Sequence, residues 1–588
     1  MKLIWWLFTA IVTGLFAAVL ELNHNTLFGW VLLIVLAGLF IVISLRLGPQ
    51  GSAWKKLLLW VGYPLCFVGI LFLTWPPVRA VPATEGANLK STGTVTTTYG
   101  PVQGVYNSDQ SVEVFAGIPY AKPPVGELRW KEPQYPDPWD EVRVCDEFAP
   151  MSMQTRNLPI IDSLTRIVGY HDYKISLNDN YREPVSEDSL YLNVWKPAGD
   201  ADHFPVLVYI HGGSLQTGQP WYEDYSGEGF AKSGVVAVNM GYRLGVFGFY
   251  ADEELMAESE HHTTGNYGLL DQIKALEWVQ ENIAQFGGDP NNVTIVGESA
   301  GAVCVDALCV SPLAEGLFQK AILESSSLSA EQPPHSFRLL EEALESGNEL
   351  KQRYGAASVD ALRQLSAEEL VQEAATQHHV TVDGYALPST VYELRTNGVH
   401  NEQAVIHGYN SEESGPFIIF DHASMKNYEQ KIRAYFKEYA DEVLAIYPAS
   451  TDEEADRYWA EIYGAVFFDY SHYCLSRLEQ ENDVPSWEYH FAKQNGRLGS
   501  WHSGELIYAF HQIPEDSRLF DETDRTLSDT MHGYWVNFCK TGDPNGEGLP
   551  EFPSIAESGQ LLELNTGLRE VDHPALALFD ILDRMNQN

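Results

Sequence analysis

The hydrophobic pattern divides the chain into two parts. Near the N-terminus, Leu3 to Leu20, Leu27 to Leu45 and Leu57 to Trp75 are apolar stretches without a charged residue, each close to the roughly 18 to 20 residues that cross a bilayer as a helix. Three such stretches in tandem predict three transmembrane helices rather than a cleaved signal peptide or one buried helix. Trp5, Trp6, Trp30, Trp60 and Trp75 fall near the ends of these spans, where an amphipathic indole favours the headgroup region. Proline, glycine, serine and threonine crowd Pro76 to Thr94, the mark of a connector. The expected organisation is a membrane region over 1–80, a linker over 81–94 and one large domain over 95–588.

Beyond the linker the rhythm changes. Short apolar runs at Val206 to Ile210, Val235 to Asn239, Val293 to Val296, Ala321 to Leu323 and Ala404 to His407 alternate with helical segments. That alternation predicts an α/β protein with a large, mostly parallel central sheet and helices on both faces. The clearest helix carries Leu269, Ile273, Leu276, Val279, Ile283 and Phe286 at steps of three and four, and Gly287-Gly288 ends it.

Charge adds an orientation. Lys2 precedes the first span and Arg46, Lys55 and Lys56 lie between the second and third, while the first loop offers only Glu21 and His24. Basic segments belong on the cytoplasmic side, which places the large domain outside a cytoplasmic (inner) membrane, with Arg79 as the one residue arguing the other way. The net charge of -43 excludes nucleic acid as a partner. The acidic residues are scattered, a pattern that favours a solvated surface over a site for cations. The six cysteines are widely dispersed and show neither a metal-ligand spacing nor a disulfide ladder. No metal or other cofactor is expected.

The run Thr294-Ile295-Val296-Gly297-Glu298-Ser299-Ala300-Gly301 sets a serine between an apolar strand and an apolar helix. In this G-x-S-x-G context the backbone bends sharply and exposes the hydroxyl, so Ser299 is the candidate nucleophile rather than part of a structural turn. Strand Val206 to Ile210 runs directly into His211-Gly212-Gly213-Ser214, a turn whose amides can point together at an oxyanion. Gly213 and Ser214, with the amide of Ala300 behind the nucleophile, form the candidate oxyanion hole. A lone Gly-Gly would be an ordinary turn; followed by an elbow in the same chain, it carries chemistry.

From about Val95 to the C-terminus the chain resembles the type-B carboxylesterases of the α/β-hydrolase superfamily, which include para-nitrobenzyl-type esterases, cholinesterases and the catalytically silent neuroligins. The resemblance rests on the elbow and a series of ordered motifs. These are Phe115 to Ala121 with Pro124, Gly126 and Arg129, then Ser186 to Val194, Tyr242 to Gly245, Asn266 to Gln272, Phe286 to Pro290, and Trp535, Phe538 and Thr541 to Asn545. It implies a serine, glutamate, histidine order. Gly408-Tyr409-Asn410-Ser411-Glu412-Glu413-Ser414 then supplies Glu413 as the acid, with Glu412 competing one residue away. His502-Ser503-Gly504-Glu505-Leu506 supplies His502 as the base; His378, His379, His407 and His511 lack that surrounding pattern. Glu298 is expected to be buried, in a structural or electrostatic role.

The departures narrow the implied function. Ser214 stands where the family often has a third glycine, so a side chain is expected to narrow the site. Ser189 stands at the usual cysteine and no cysteine lies near Met153-Gln154, so the family's first disulfide is absent. No tryptophan occurs between Gln154 and Ser186 to stack on a quaternary ammonium, which excludes a cholinesterase. The resemblance implies a serine carboxylesterase working through an acyl-enzyme; together with the three predicted spans, the expectation is a membrane-anchored enzyme whose partners are a small-molecule, hydrophobic ester and the lipid bilayer. The alternative is a neuroligin-like adhesion module, disfavoured by the intact Ser299, Glu413 and His502. No charged residue lies inside a span, so no transport pathway is indicated.

Overall fold

The computed structural model describes residues 2–48, 51–84, 86, 89–168, 181–332, 337–373, 379–494, 499–515 and 517–586; His378 and linker positions 85, 87 and 88 lie outside them. The chain divides into two compact units, one of Met1–Val81 with Arg156–Pro184, the other of Pro82–Thr155 with Val185–Asn588. The segment 156–184, which the sequence pattern leaves inside the large domain, thus groups with the N-terminal helices.

In the first unit, helices α1 (Lys2–Leu22), α2 (Leu27–Leu47) and α3 (Ala53–Leu73) are followed by α4 (Pro159–Val168). The first three are long and apolar enough to cross a membrane. Helix α3 starts ahead of its first apolar run because Lys55 and Lys56 continue the helical backbone; helicity does not stop where apolarity does. Aromatic rings fill the space between the helices, Phe16 on Phe67 at 4.0 Å and Phe40 on Tyr63 at 4.4 Å between centroids. The α1–α2 loop is tied to the end of α3. Asn25 Nδ2 donates to Leu71 O at 2.7 Å and Thr74 Oγ1 at 2.9 Å, and Thr26 N donates to Thr74 O.

The second unit is built on a sheet of thirteen strands. Twelve form a continuous path: β1 (Ser91–Thr96), β2 (Pro101–Tyr106), β3 (Val112–Pro119), β4 (Tyr191–Pro197), β5 (Phe204–Ile210), β6 (Val236–Met240), β7 (Gly288–Glu298), β8 (Lys320–Glu324), β9 (Val405–Asn410), β10 (Ser486–Phe491), β11 (Leu561–Leu564) and β12 (Arg569–Val571). In space the order is β12-β11-β10-β9-β8-β7-β5-β6-β4-β3-β2-β1, with Arg143–Val144 beside β2. The run from β6 to β11 is parallel, and β12 and the β1 to β4 wing are antiparallel. The central parallel strands carry apolar runs because both faces of the sheet are covered: Val206, Val208, Ile210, Val293, Ile295, Ala321 and Leu323 are fully buried. The antiparallel wing escapes that pattern. Strand β1, Ser-Thr-Gly-Thr-Val-Thr, has the composition of a linker, but its threonines suit an exposed edge strand.

Helices α5 (Tyr267–Asn282) and α6 (Ala300–Val310) pack close to the sheet. Helix α5 tightens into a 3-10 turn over Ile283–Phe286 and stops at Gly287, whose φ of +80° is the left-handed cap glycine provides cheaply. Helix α6 is buried on every side, so apolarity and not amphipathic spacing marks it. It carries one charge, Asp306, which accepts from Ser327 Oγ, Leu328 N and Ser329 Oγ. Asp306 is also paired with Arg395 at 2.8 Å, and Arg395 in turn holds Glu402 at 2.7 Å and Glu479. One guanidinium therefore serves three buried carboxylates. Removing it strands them, a loss of about 3 to 5 kcal/mol for a buried pair. Arg395→Met is expected to lower the melting temperature of the detergent-solubilised protein by several degrees, and Glu479→Gln in the same chain to recover part of that; unchanged melting of the single variant would contradict the network's role.

Candidate active site

Ser299 joins β7 to α6 at φ +57°, ψ −125°, a strained conformation for a residue with a side chain. Its neighbours explain how the turn is tolerated. A Cβ on Gly301 would stand 2.0 Å from Ile210 O, and one on Gly297 would stand 2.4 Å from the Gly301 backbone. Both positions must lack a side chain for α6 to start against the end of β5. The turn is pinned by Ser299 N donating to Glu324 O at 2.8 Å, and Ser299 remains partly accessible.

Strand β5 runs on into the glycine loop. A Cβ on Gly212 would meet Glu298 O at 2.6 Å and Ser299 Cβ at 3.0 Å, so this loop lies directly on the serine turn. Gly213, Ser214 and Leu215 have φ of +105°, +56° and +58°, a left-handed run that accounts for glycine being favoured at 214. Ser214 adopts it with its side chain exposed. Among the described residues the N–H groups of Gly213, Ser214 and Ala300 donate to no protein acceptor. The loop is braced from outside. Gln154 Nε2 donates to Gly218 O at 2.7 Å and Gly218 N donates to Gln154 Oε1 at 3.0 Å. From beneath, His211 Nδ1 bonds Gly212 O at 2.8 Å, and burial pushes its pKa down to about 4, keeping the ring neutral.

Of the two glutamates competing as the acid, the structure brings one to His502. Glu413 Oε2 lies 2.5 Å from His502 Nδ1, and its Oε1 accepts from Asn410 N at 2.7 Å. Glu412 is exposed and bonded to Gln494 Nε2 at 3.0 Å. Burial pushes the Glu413 carboxyl up to about 8, with the Asn410 amide and the Ser325 hydroxyl acting in the opposite direction. His502 Nε2 makes no hydrogen bond among the described residues and lies 3.3 Å from Glu298 Oε1, facing the turn that holds Ser299. The rings of Phe417 and Phe468 cover the imidazole at 5.0 and 4.9 Å.

Several surrounding groups carry no local sequence signal. Ser503, at φ +70°, donates to Glu298 Oε1 at 2.6 Å and holds that carboxylate beside Nε2. Ser325 Oγ donates to Glu505 Oε1 at 3.0 Å, and Asn410 Nδ2 bonds the other Glu505 oxygen. Burial raises Glu298 and Glu505, each further raised by the other's charge or by Glu413. Phe468 sits in a π-helical turn, Ala465–Asp469, a widened turn that re-aims side chains at functional sites. Sequence spacing alone would reveal only Glu505, three residues after the histidine. Ser189, at the position of the missing cysteine, instead accepts a hydrogen bond from Ser152 Oγ at 3.0 Å, and all six cysteines are free thiols.

The carboxylesterase family model matches residues 91–577. The medium-chain fatty acyl-CoA hydrolase precursor of Anas platyrhynchos is 32% identical over 518 residues, covering 80% of this chain and 88% of its own. The fumonisin B1 esterase of Sphingopyxis macrogoltabida is 32% identical over 489 residues, covering 79% and 84%. Among solved structures, a carboxylesterase of Geobacillus stearothermophilus superimposes with a TM-score of 0.69 at 30% identity, over 84% of this chain and all of its own. With the α/β-hydrolase sheet, the serine elbow and the matched length in agreement, the chain belongs to the carboxylesterase family.

Proposed function

We propose that this carboxylic ester hydrolase works through a covalent acyl-serine and is anchored in a membrane by its N-terminal helices. The observation that carries the chemistry is His502, bound through Nδ1 to a buried Glu413 and presenting an unpaired Nε2 toward the turn of Ser299. His502 Nε2 takes the proton of Ser299 Oγ as the oxygen attacks the ester carbonyl. The carbonyl oxygen becomes an oxyanion and is met by the amides of Gly213, Ser214 and Ala300, donors worth about 2.7 to 4 kcal/mol each in such sites. The imidazolium returns its proton to the leaving alcohol. Water, deprotonated by the same nitrogen, then attacks the acyl-serine, and the acid leaves with Ser299 restored. Glu413 orients the ring and stabilises its charged form.

The aromatic cover of Phe417 and Phe468 beside His502 favours apolar ester groups, and a membrane anchor gives such substrates a reservoir. The basic residues Lys2, Arg46, Lys55 and Lys56 support an orientation with the catalytic unit outside a cytoplasmic membrane.

Hydrolysis of para-nitrophenyl acetate and butyrate tests the chemistry. Ser299→Ala is expected to lower kcat by about 10^5-fold or more, and equal release from both proteins sinks the mechanism. Within the acid pair, Glu413→Gln is expected to cost about 10^3 to 10^4 in kcat while Glu412→Gln stays within a few fold; the reverse order would transfer the role to Glu412. For placement, protease added to spheroplasts is expected to remove the catalytic unit, and full protection overturns the outward orientation.

A further inference from the structure

Helix α4 leaves part of an apolar face exposed among the described residues. Its sequence, Pro159-Ile160-Ile161-Asp162-Ser163-Leu164-Thr165-Arg166-Ile167-Val168, sets Ile160, Ile161, Leu164 and Ile167 along one arc of the helix and Asp162 and Thr165 on the other. Ile161 and Leu164 are 45% and 43% exposed, and Leu158 just before the helix is 57% exposed. Ten residues do not make a stable helix in water by themselves, so α4 depends on what it touches.

One contact fixes its level. Ser163, buried in the helix, donates through Oγ to Leu22 O at 2.8 Å and lies 2.9 Å from His24 Nε2. Leu22 is the last residue of α1, which at 21 residues is about 30 Å long, the thickness of a bilayer's hydrocarbon core. A helix tied to that carbonyl is therefore held at the membrane boundary. The far end of the segment is held at the same level: Arg182 N donates to Pro77 O at 2.8 Å and Arg79 N to Arg182 O at 3.1 Å, just past the end of α3. The Arg79 guanidinium covers the Tyr181 ring at 4.1 Å. The α1–α2 loop and the end of α3 are themselves hydrogen-bonded together, so both anchors belong to one end of the helix bundle.

We propose that α4 is an interfacial helix whose apolar arc lies in the boundary between headgroups and acyl chains, and that the partner it fits is the bilayer crossed by α1 to α3. This rests on reading those three helices as membrane spans. Amphipathic helices of this kind sink about 5 to 10 Å into the interface, a depth that covers Ile161 and Leu164 while Asp162 stays in water.

Full-length protein in phosphatidylcholine vesicles, with an environment-sensitive fluorophore on single cysteines and quencher groups on the lipid chains, tests it. Cys66 is exposed on α3 while the other five cysteines are buried, so native Cys66 reports on the spans. Ile161→Cys, Leu164→Cys and Asp162→Cys, each with Cys66→Ser, report on α4. Lipid-borne quencher is expected to remove about half or more of the fluorescence at 161 and 164 and clearly less at 162, as interfacial depth requires. Ester turnover retained by each labelled variant shows that it is folded. Quenching at Cys66 with none at 161 and 164 overturns the interfacial helix and leaves the spans standing. Absence of quenching at Cys66 removes the spans and the proposal with them.

Discussion

The close approach of α6 to the end of β5 is the constraint on which the site depends. Gly301 touches the Ile210 carbonyl so nearly that a methyl group would fall 2.0 Å from its oxygen, and no rotamer change relieves a clash with backbone. That contact fixes where α6 begins, hence where Ser299 turns and where the Ala300 amide points. Because β5 continues unbroken into His211 and the glycine loop, the same contact brings the Gly213 and Ser214 amides alongside. The G-x-S-x-G motif is therefore a packing requirement first, and the chemistry follows from the packing.

Around the histidine the structure concentrates carboxyl groups that solvent would otherwise accommodate. Glu298, Glu324, Glu413 and Glu505 are all buried, and burial raises each of them. Hydrogen-bond donors offset part of that penalty, among them Ser503, Trp535 Nε1, Asn410 and Ser325. The large core supports such a cluster, which by itself is destabilising. Glu413 at Nδ1 and Glu298 near Nε2 flank the imidazole on two sides. This local field is distinct from the net charge of -43, which is spread along the chain.

Serine, histidine and the acid region were legible in the sequence because each stands in a short motif at the end of a strand or in a tight turn. The choice of Glu413 over Glu412 came from the resemblance and not from the residue types themselves. Ser411 to Glu413 leave β9 in a turn in which the Asn410 amide captures Glu413, while Glu412 points to Gln494. Two neighbouring glutamates are chemically alike, so only position within a known pattern, or the turn itself, separates them. Gln154, Ser325 and Phe468 were invisible for another reason: they reach the site from remote parts of the chain, while Phe417, four residues after Glu413, stands in no motif. Other motif residues serve the scaffold. Arg129 holds Glu187 through two contacts of 2.7 and 2.6 Å, and Arg243 holds Asp271 through two of 2.8 and 2.7 Å. The division of the chain escaped the hydrophobic pattern as well, since nothing apolar or punctuated in 156–184 marks it as belonging with the N-terminal helices.

That division bears on how two units share one chain, which passes between them at 81/82, 155/156 and 184/185. Each further passage closes a loop and removes chain entropy that a lone tether retains. The second passage is also chemically placed. Gln154, whose amide brackets Gly218 through two hydrogen bonds, is next but one to Arg156, where the segment grouped with the N-terminal helices begins. The chain therefore leaves the sheet-bearing unit one residue after a side chain that braces the glycine loop.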